Sequence, residues 1–243
     1  MATIHRRPDT VPVGALLAAV GGFLDAYTFI RYNVFANLQS GNVLLLCLEA
    51  TARHWHRAIS LLVPVAAFGV GVLLVEVLGL PGVERLVRRP LRLVLTLQIA
   101  ALTVVAALPA DAPEHVTTVT VSFVAALQFS TFTTLRDAPY TTLAESGNMQ
   151  KALVAAHQWM AGKDPAAARR AGRYGLIVTA FVAGAAGGAI LTRLAGPPAV
   201  GTAAALLAAV LALQIHQTRR LERQAPDSGA GPAPSSSPPP PER

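Results

Sequence analysis

An all-helical, multi-pass membrane fold is predicted by three features: apolar runs long enough to cross a bilayer, cationic clusters between those runs, and a stretch of sequence that occurs twice. Apolar residues make up 53% of the chain and charged residues only 14%. That balance suits lipid better than water as the solvent of the bulk of the surface. The net charge of +7 does not imply nucleic acid, because the Lys and Arg residues sit in short groups with no continuous basic face or base-reading module.

The first run, Val11 to Ile30, follows His5-Arg6-Arg7. It is about 20 residues long, enough for a ~30 Å hydrocarbon core. A signal peptide would share its length and flanks, but no clear small-x-small cleavage pattern follows and many apolar spans come after it. Those spans are Ala58 to Leu80, Leu91 to Leu108, Val116 to Leu135, Tyr174 to Leu194 and Ala199 to Ile215. Six crossings are expected, the third and sixth being the shorter ones. Residues 1–10 read as a cytoplasmic N-terminus, 11–109 and 110–216 as two membrane repeats, and 217–243 as a disordered cytoplasmic tail. From Gln224 onward Pro, Ser, Gly and Ala dominate, a composition that cannot bury a core.

Cations set the orientation. With the N-terminus inside, the inner segments hold Arg6 and Arg7, then Arg85, Arg88, Arg89 and Arg92, then Arg136, Lys151, Lys163, Arg169, Arg170 and Arg173, then Arg219, Arg220, Arg223 and Arg243. The outer segments hold only Arg31, Arg53, Arg57 and Arg193. This bias predicts both termini in the cytoplasm.

The repeated stretch is centred on Ser40-Gly41-Asn42, which returns as Ser146-Gly147-Asn148. Phe23 to Ala52 aligns with Phe129 to Gln158 at a constant offset, and Ala67-Phe68 with Gly71 aligns with Ala180-Phe181 and Gly184. A self-match of this kind bears on architecture before any local feature does. Three crossings per copy is an odd number, so the second copy enters from the opposite face. Two inverted three-helix repeats are expected, an arrangement used by transporters with solute sites near mid-bilayer.

Ser-Gly-Asn is a helix-start signal, since Ser or Asn can cap a first turn and Gly permits close backbone approach. Val43 to Ala52 is apolar and about 15 Å long as a helix, half a bilayer. Each copy is therefore read as a re-entrant half-helix whose N-terminus, at mid-depth, favours an anion or a polar solute. A helix lying at the membrane surface remains the alternative, and the polar Gln150, Lys151, His157 and Gln158 of the second copy keep it open.

Ser40, Gly41, Asn42, Ser146, Gly147 and Asn148 are the candidate solute cradle. Asp25 is a carboxylate inside a span, on a face with Gly14, Ala18, Gly21 and Thr28; such groups face protein or a cavity. Gln128 stands at a comparable depth in the second copy, and Lys151 could complete an anion site or pair with Asp25. The small faces Ala67-x-x-x-Gly71 and Gly184-x-x-x-Gly188 predict close helix crossings within the protomer. Cys47 reads as a core thiol. No nucleotide loop, zincin pair or Ser/His/Asp grouping occurs, so neither an enzyme nor a cofactor or metal is expected.

Gly22-Phe23-Leu24-Asp25-Ala26, Val34-Phe35-Ala36-Asn37 and Ser40-Gly41-Asn42-Val43 resemble the signature of the YoaK-like family of bacterial inner-membrane proteins, whose activity is unassigned. Ala126-Leu127-Gln128, Thr141-Thr142 and Ser146-Gly147-Asn148 resemble its second half, although Phe129 follows the Gln where the family carries Asn. The resemblance spans about residues 13–216 and implies a multi-pass protein of the bacterial inner membrane. The residues themselves lead to a transporter or channel for a small polar or anionic solute, with the lipid bilayer as partner, no nucleic acid, and a homo-oligomer left open. A non-transporting membrane scaffold or partner-binding subunit is the alternative.

Overall fold

The computed structural model describes residues 9–80, 82–83, 89–136, 138–142 and 145–224. Among them are eight α-helices: α1 Val11–Tyr32, α2 Gln39–Thr51, α3 Trp55–Leu78, α4 Pro90–Ala106, α5 Glu114–Thr131, α6 Glu145–Gly162, α7 Pro165–Ala195 and α8 Gly201–Gln224. A short antiparallel pair, β1 Thr134–Leu135 and β2 Ala138–Pro139, lies between α5 and α6, and a 3-10 turn, Pro197–Val200, leads into α8.

Among the described residues, four segments are long and apolar enough to cross a membrane: α1, α3, α7, and Pro197–Arg220, which contains most of α8. α4 is apolar but has 17 residues, about 25 Å of helix. α5 is less apolar, and its position accounts for that. Ten of its 18 residues are buried, including Thr117, Thr118, Ser122, Gln128 and Thr131, so it faces other helices and needs no apolar exterior.

Several boundaries differ from the sequence expectation. α5 stops at Thr131, and the last residues of the expected span form β1 instead, where Thr133 and Thr134 favour extended backbone. α7 begins nine residues before the expected Tyr174, because Asp164 caps it by accepting from the N–H groups of Ala166 (2.8 Å) and Ala167 (3.1 Å), with Pro165 at the first position. α8 continues to Gln224, through the first eight residues of the expected tail. Residues 225–243, with Arg6, Arg7, Arg85 and Arg88, lie outside the described residues. Cys47 is exposed on α2 rather than in the core.

α1 and α5 occupy the interior. α1 packs on α7, α8 and α5, while α5 packs on α3, α4 and α1; α4 and α8 pack together. α2 lies on α3 and α6 on α7, and each is peripheral: Asn42 is the one buried residue of α2, and Asn148 and Ala155 are those of α6. α1 and α7 run parallel, with Gly14 against Ile177 and Gly188 against Phe23. α3 and α5 also start together, Arg57 Nη1 lying 3.7 Å from Glu114 Oε1, and stay in contact where Gly71 meets Ala126.

The two small faces form the closest crossings, though not with each other. A Cβ on Gly184 would collide with the backbone of Ala19, and one on Gly22 with the Phe181 carbonyl. A Cβ on Gly71 would stand 2.6 Å from Ala126 Cβ. The α7 face therefore closes on α1 and the α3 face on α5.

Candidate functional site

After α1 ends at Asn33 in a left-handed conformation (φ 52°), the chain turns back along the helix it has just left. Asn37 donates from its side-chain Nδ2 to the Gly21 carbonyl (2.7 Å) and from its backbone N–H to Asp25 Oδ1 (2.9 Å). Gly21 precedes Tyr32 by eleven residues, roughly 16 Å along the helix. α2 thus starts level with the middle of α1, then runs outward along α3, where its C-terminal end meets Arg57.

Ser40-Gly41-Asn42 occupies the first turn of α2 rather than its cap, because the helix already begins at Gln39. Ser40 is exposed. Gly41 is needed for space, since a Cβ there would stand 2.9 Å from the Phe35 ring. Asn42 is fully buried. Its Oδ1 accepts from the Phe35 N–H (2.9 Å), and its Nδ2 donates to the Phe35 carbonyl (2.8 Å) and to Gln39 Oε1 (2.9 Å). A carboxamide paired with both backbone groups of one residue acts as a substitute peptide, tying loop to helix.

The second copy repeats the arrangement. Asn148 is fully buried, accepts from the Thr141 N–H (3.3 Å), and donates to the Thr141 carbonyl (2.6 Å) and to Glu145 Oε2 (3.3 Å). Ser146 is exposed, and a Cβ on Gly147 would meet nothing. Both donors of each asparagine are occupied locally, so neither has an N–H left for a solute.

The remaining candidates separate. Asp25 accepts from the Asn37 N–H just before α2, so a carboxyl group of the chain itself takes the place at the helix start where an external anion was expected. Lys151 donates to the Pro139 carbonyl (2.8 Å) and lies 5.5 Å from the Tyr174 ring, away from Asp25. Gln128 is buried between α5 and α1, donating to the Leu17 carbonyl (2.9 Å) while its Oε1 has no partner.

Sequence reading passed over Gln98. It lies on α4, fully buried, with neither amide atom hydrogen-bonded. Val94, one turn before it, shares a cluster with Leu127 of α5. The seven-residue connection makes α4 and α5 antiparallel neighbours, which brings Gln98 level with Ser122, whose hydroxyl is also buried without a partner. Each such orphaned group costs about 1–3 kcal/mol if nothing satisfies it. The available signal was an amide in the middle of an apolar run.

Two cavities occupy corresponding places on the two copies. One, about 390 Å³, lies between α2 and α3 and includes Leu45, Glu49, Arg57, Leu61 and Glu114. The other, about 420 Å³, lies between α6 and α7 and includes Lys151, Ala155, Arg170 and Tyr174. Neither tripeptide lines either of them.

At the start of α1, Asp9 bridges to the hairpin: its N–H donates to the Thr134 carbonyl (2.8 Å) and its carbonyl accepts from the Arg136 N–H (3.0 Å). Tyr140 donates to Asp9 Oδ2 (2.9 Å). Burial pushes the Asp9 carboxyl up to about 7, against the lowering effect of that hydrogen bond, and raises the Tyr140 phenol above its usual range.

Residues 13–213 match the family described as protein of unknown function (DUF1275). The chain belongs to that family. The match covers both copies of the repeat and carries no YoaK-like name and no activity. No curated protein and no solved structure matches the chain. What the family match and the helices establish together is a membrane-type helical protein whose activity is open.

Proposed function

We propose that this DUF1275 protein is an integral membrane transporter or channel for a small polar solute, with its site at mid-bilayer between two inverted repeats. The six crossings are α1, α3, α4, α5, α7 and α8, and α2 and α6 are the re-entrant segments. Support for the repeat lies in the packing. Exchanging α1–α4 for α5–α8 turns the α1–α7 contact into α5–α3, α2–α3 into α6–α7, and α1–α8 into α5–α4, while α1–α5 and α4–α8 map onto themselves. The parallel courses of α1 with α7 and of α3 with α5 fit odd-numbered, inverted halves. The cation bias, in turn, supports an orientation with both termini on the cytoplasmic side of the membrane.

The observation that carries a transport role is Gln98. A fully buried carboxamide without a partner lies on α4 of the first half, and Ser122 and Gln128, each with an unpartnered oxygen, lie on α5 of the second. Polar groups in that condition suit a water or a polar solute that completes their hydrogen bonds. The carboxylates Asp25 and Glu145, already placed at the two half-helix starts, weigh toward a neutral solute over an anion there.

In proteoliposomes loaded and challenged with glycerol, urea, amino acids or sugars, the parent protein is expected to speed the flux of at least one. Gln98→Leu should reduce that flux at least tenfold while thermal stability holds or rises, because the change removes two orphaned polar atoms. Undiminished flux in Gln98→Leu would refute the assignment. The scaffold alternative is favoured by one observation, that Gln98 lines neither of the two cavities described above. It predicts no solute flux above protein-free liposomes.

A further inference from the structure

A third cavity, about 420 Å³, opens where α1, α7 and the β1–β2 hairpin meet, and it is lined by Val11, Arg136, Arg169, Gly172, Arg173 and Leu176. Three of these six residues are arginines, and none of the described lining residues is acidic. We infer that this cavity holds the phosphate of an anionic phospholipid, with the lipid's acyl chain running along α7 past Leu176.

The cavity is assembled by the local structure. Arg169 and Arg173 are four residues apart, so they share one face of α7. Gly172 lies between them, and with open space where its Cβ would be it leaves the floor accessible to a headgroup. Arg136 comes from a different element. It sits at the hairpin tip in a left-handed conformation (φ 54°), a strained choice for a residue with a side chain, and its N–H is bonded to the Asp9 carbonyl. The hairpin is thereby pinned to the start of α1, which brings a third arginine into the lining of the same cavity.

Guanidinium groups fit phosphate oxygens in paired hydrogen bonds, and a converging set suits phosphate better than a single carboxylate. A lipid fits better than free phosphate because of the apolar part of the lining. Leu176 is 47% exposed and continues the face of Arg169 and Arg173 one turn toward the centre of α7, a helix apolar enough to span the membrane. Val11 supplies a second apolar wall at the first residue of α1. Basic pockets at the ends of membrane helices recognise anionic headgroups in this way. The inference is independent of any transport activity and requires only that α1 and α7 sit in a bilayer.

The full chain, purified in detergent and offered an equimolar mixture of phosphatidylglycerol and phosphatidylcholine, should retain the anionic lipid selectively in native mass spectra. Arg169→Gln with Arg173→Gln should weaken that retention roughly twentyfold, about fivefold per arginine. Arg193→Gln, which removes one charge at the far end of α7, should leave it unchanged. Equal retention of the two lipids, or an equal loss in Arg193→Gln, would overturn the proposal. A parallel arm adds inorganic phosphate alone. Thermal stabilisation by phosphate equal to that by phosphatidylglycerol would assign the cavity to a soluble anion and overturn the lipid, whereas stabilisation by the lipid alone supports it.

Discussion

Asn42 and Asn148 each reach back seven residues and pair with both backbone groups of one residue, Phe35 in the first loop and Thr141 in the second. Around that shared clamp the chemistry diverges. The third bond goes to the neutral Gln39 in one copy and to the carboxylate of Glu145 in the other. The acid of the first loop is instead Asp25, supplied by α1, and its counterpart in the second copy is Thr131. The part kept in both is the device that ties the loop to its helix; the part free to differ is where the negative charge sits. A residue held constant while its surroundings change this much is more readily explained by backbone geometry than by a shared ligand.

Removing the clamp is the most direct way to break the comparison. Asn42→Ala deletes three hydrogen bonds and leaves the Phe35 N–H and carbonyl without their partner, a loss of about 2–4 kcal/mol. Asn148→Ala should cost a similar amount, somewhat less given its longer 3.3 Å bonds. Thermal melting of the purified protein measures both. If both variants melt like the parent, the asparagines are not structural clamps, and a direct solute role returns to them.

That distinction also marks how far the sequence could be read. The repeated tripeptide and the apolar runs were legible because lipid exposure and helix starts are local properties of composition. The half-depth start of α2 was legible as a possibility, through its length and apolar character. Its anchor was not, because Asn37 meets Gly21 only after the chain has folded back. Gln98 was passed over for the same reason: an amide in an apolar run has no visible partners or lack of them until neighbouring helices are placed. α5 was harder still. Its Thr, Ser and Gln residues lower its hydropathy where it is enclosed by protein, and the strand that follows its end at Thr131 bonds to Asp9, over a hundred residues earlier.

A smaller effect separates the two glycines. Gly41→Ala would push a methyl against the Phe35 ring 2.9 Å away and should destabilise by about 1 kcal/mol. Gly147→Ala meets nothing and should stabilise by about 0.5–1 kcal/mol, the ordinary gain of Ala over Gly in a helix. Opposite signs in two aligned positions would confirm that only the first loop packs its ring onto the half-helix. Equal shifts would mean that the two first turns are alike in packing.

The last difference appears only as pH changes. Tyr140 stands where the first copy has Val34, and its hydroxyl donates to Asp9, a buried carboxyl at the start of α1 for which Val34 offers no hydroxyl counterpart. With its ordinary value near 3.8 raised to about 7 by burial, Asp9 keeps its proton in the folded protein over a range where the unfolded chain has lost it. Below pH 4 both states are protonated and the contribution to stability is complete. Between about pH 4 and 7 it is progressively lost, and above 7 it stays lost. Asn at this position stays neutral and keeps an oxygen for Tyr140. Asp9→Asn should therefore match the parent at the acidic end of that window and exceed it in melting temperature by pH 8. A parent-to-variant difference that does not change between pH 4 and 8 would show that Asp9 is solvated and that the second loop holds no such titrating contact.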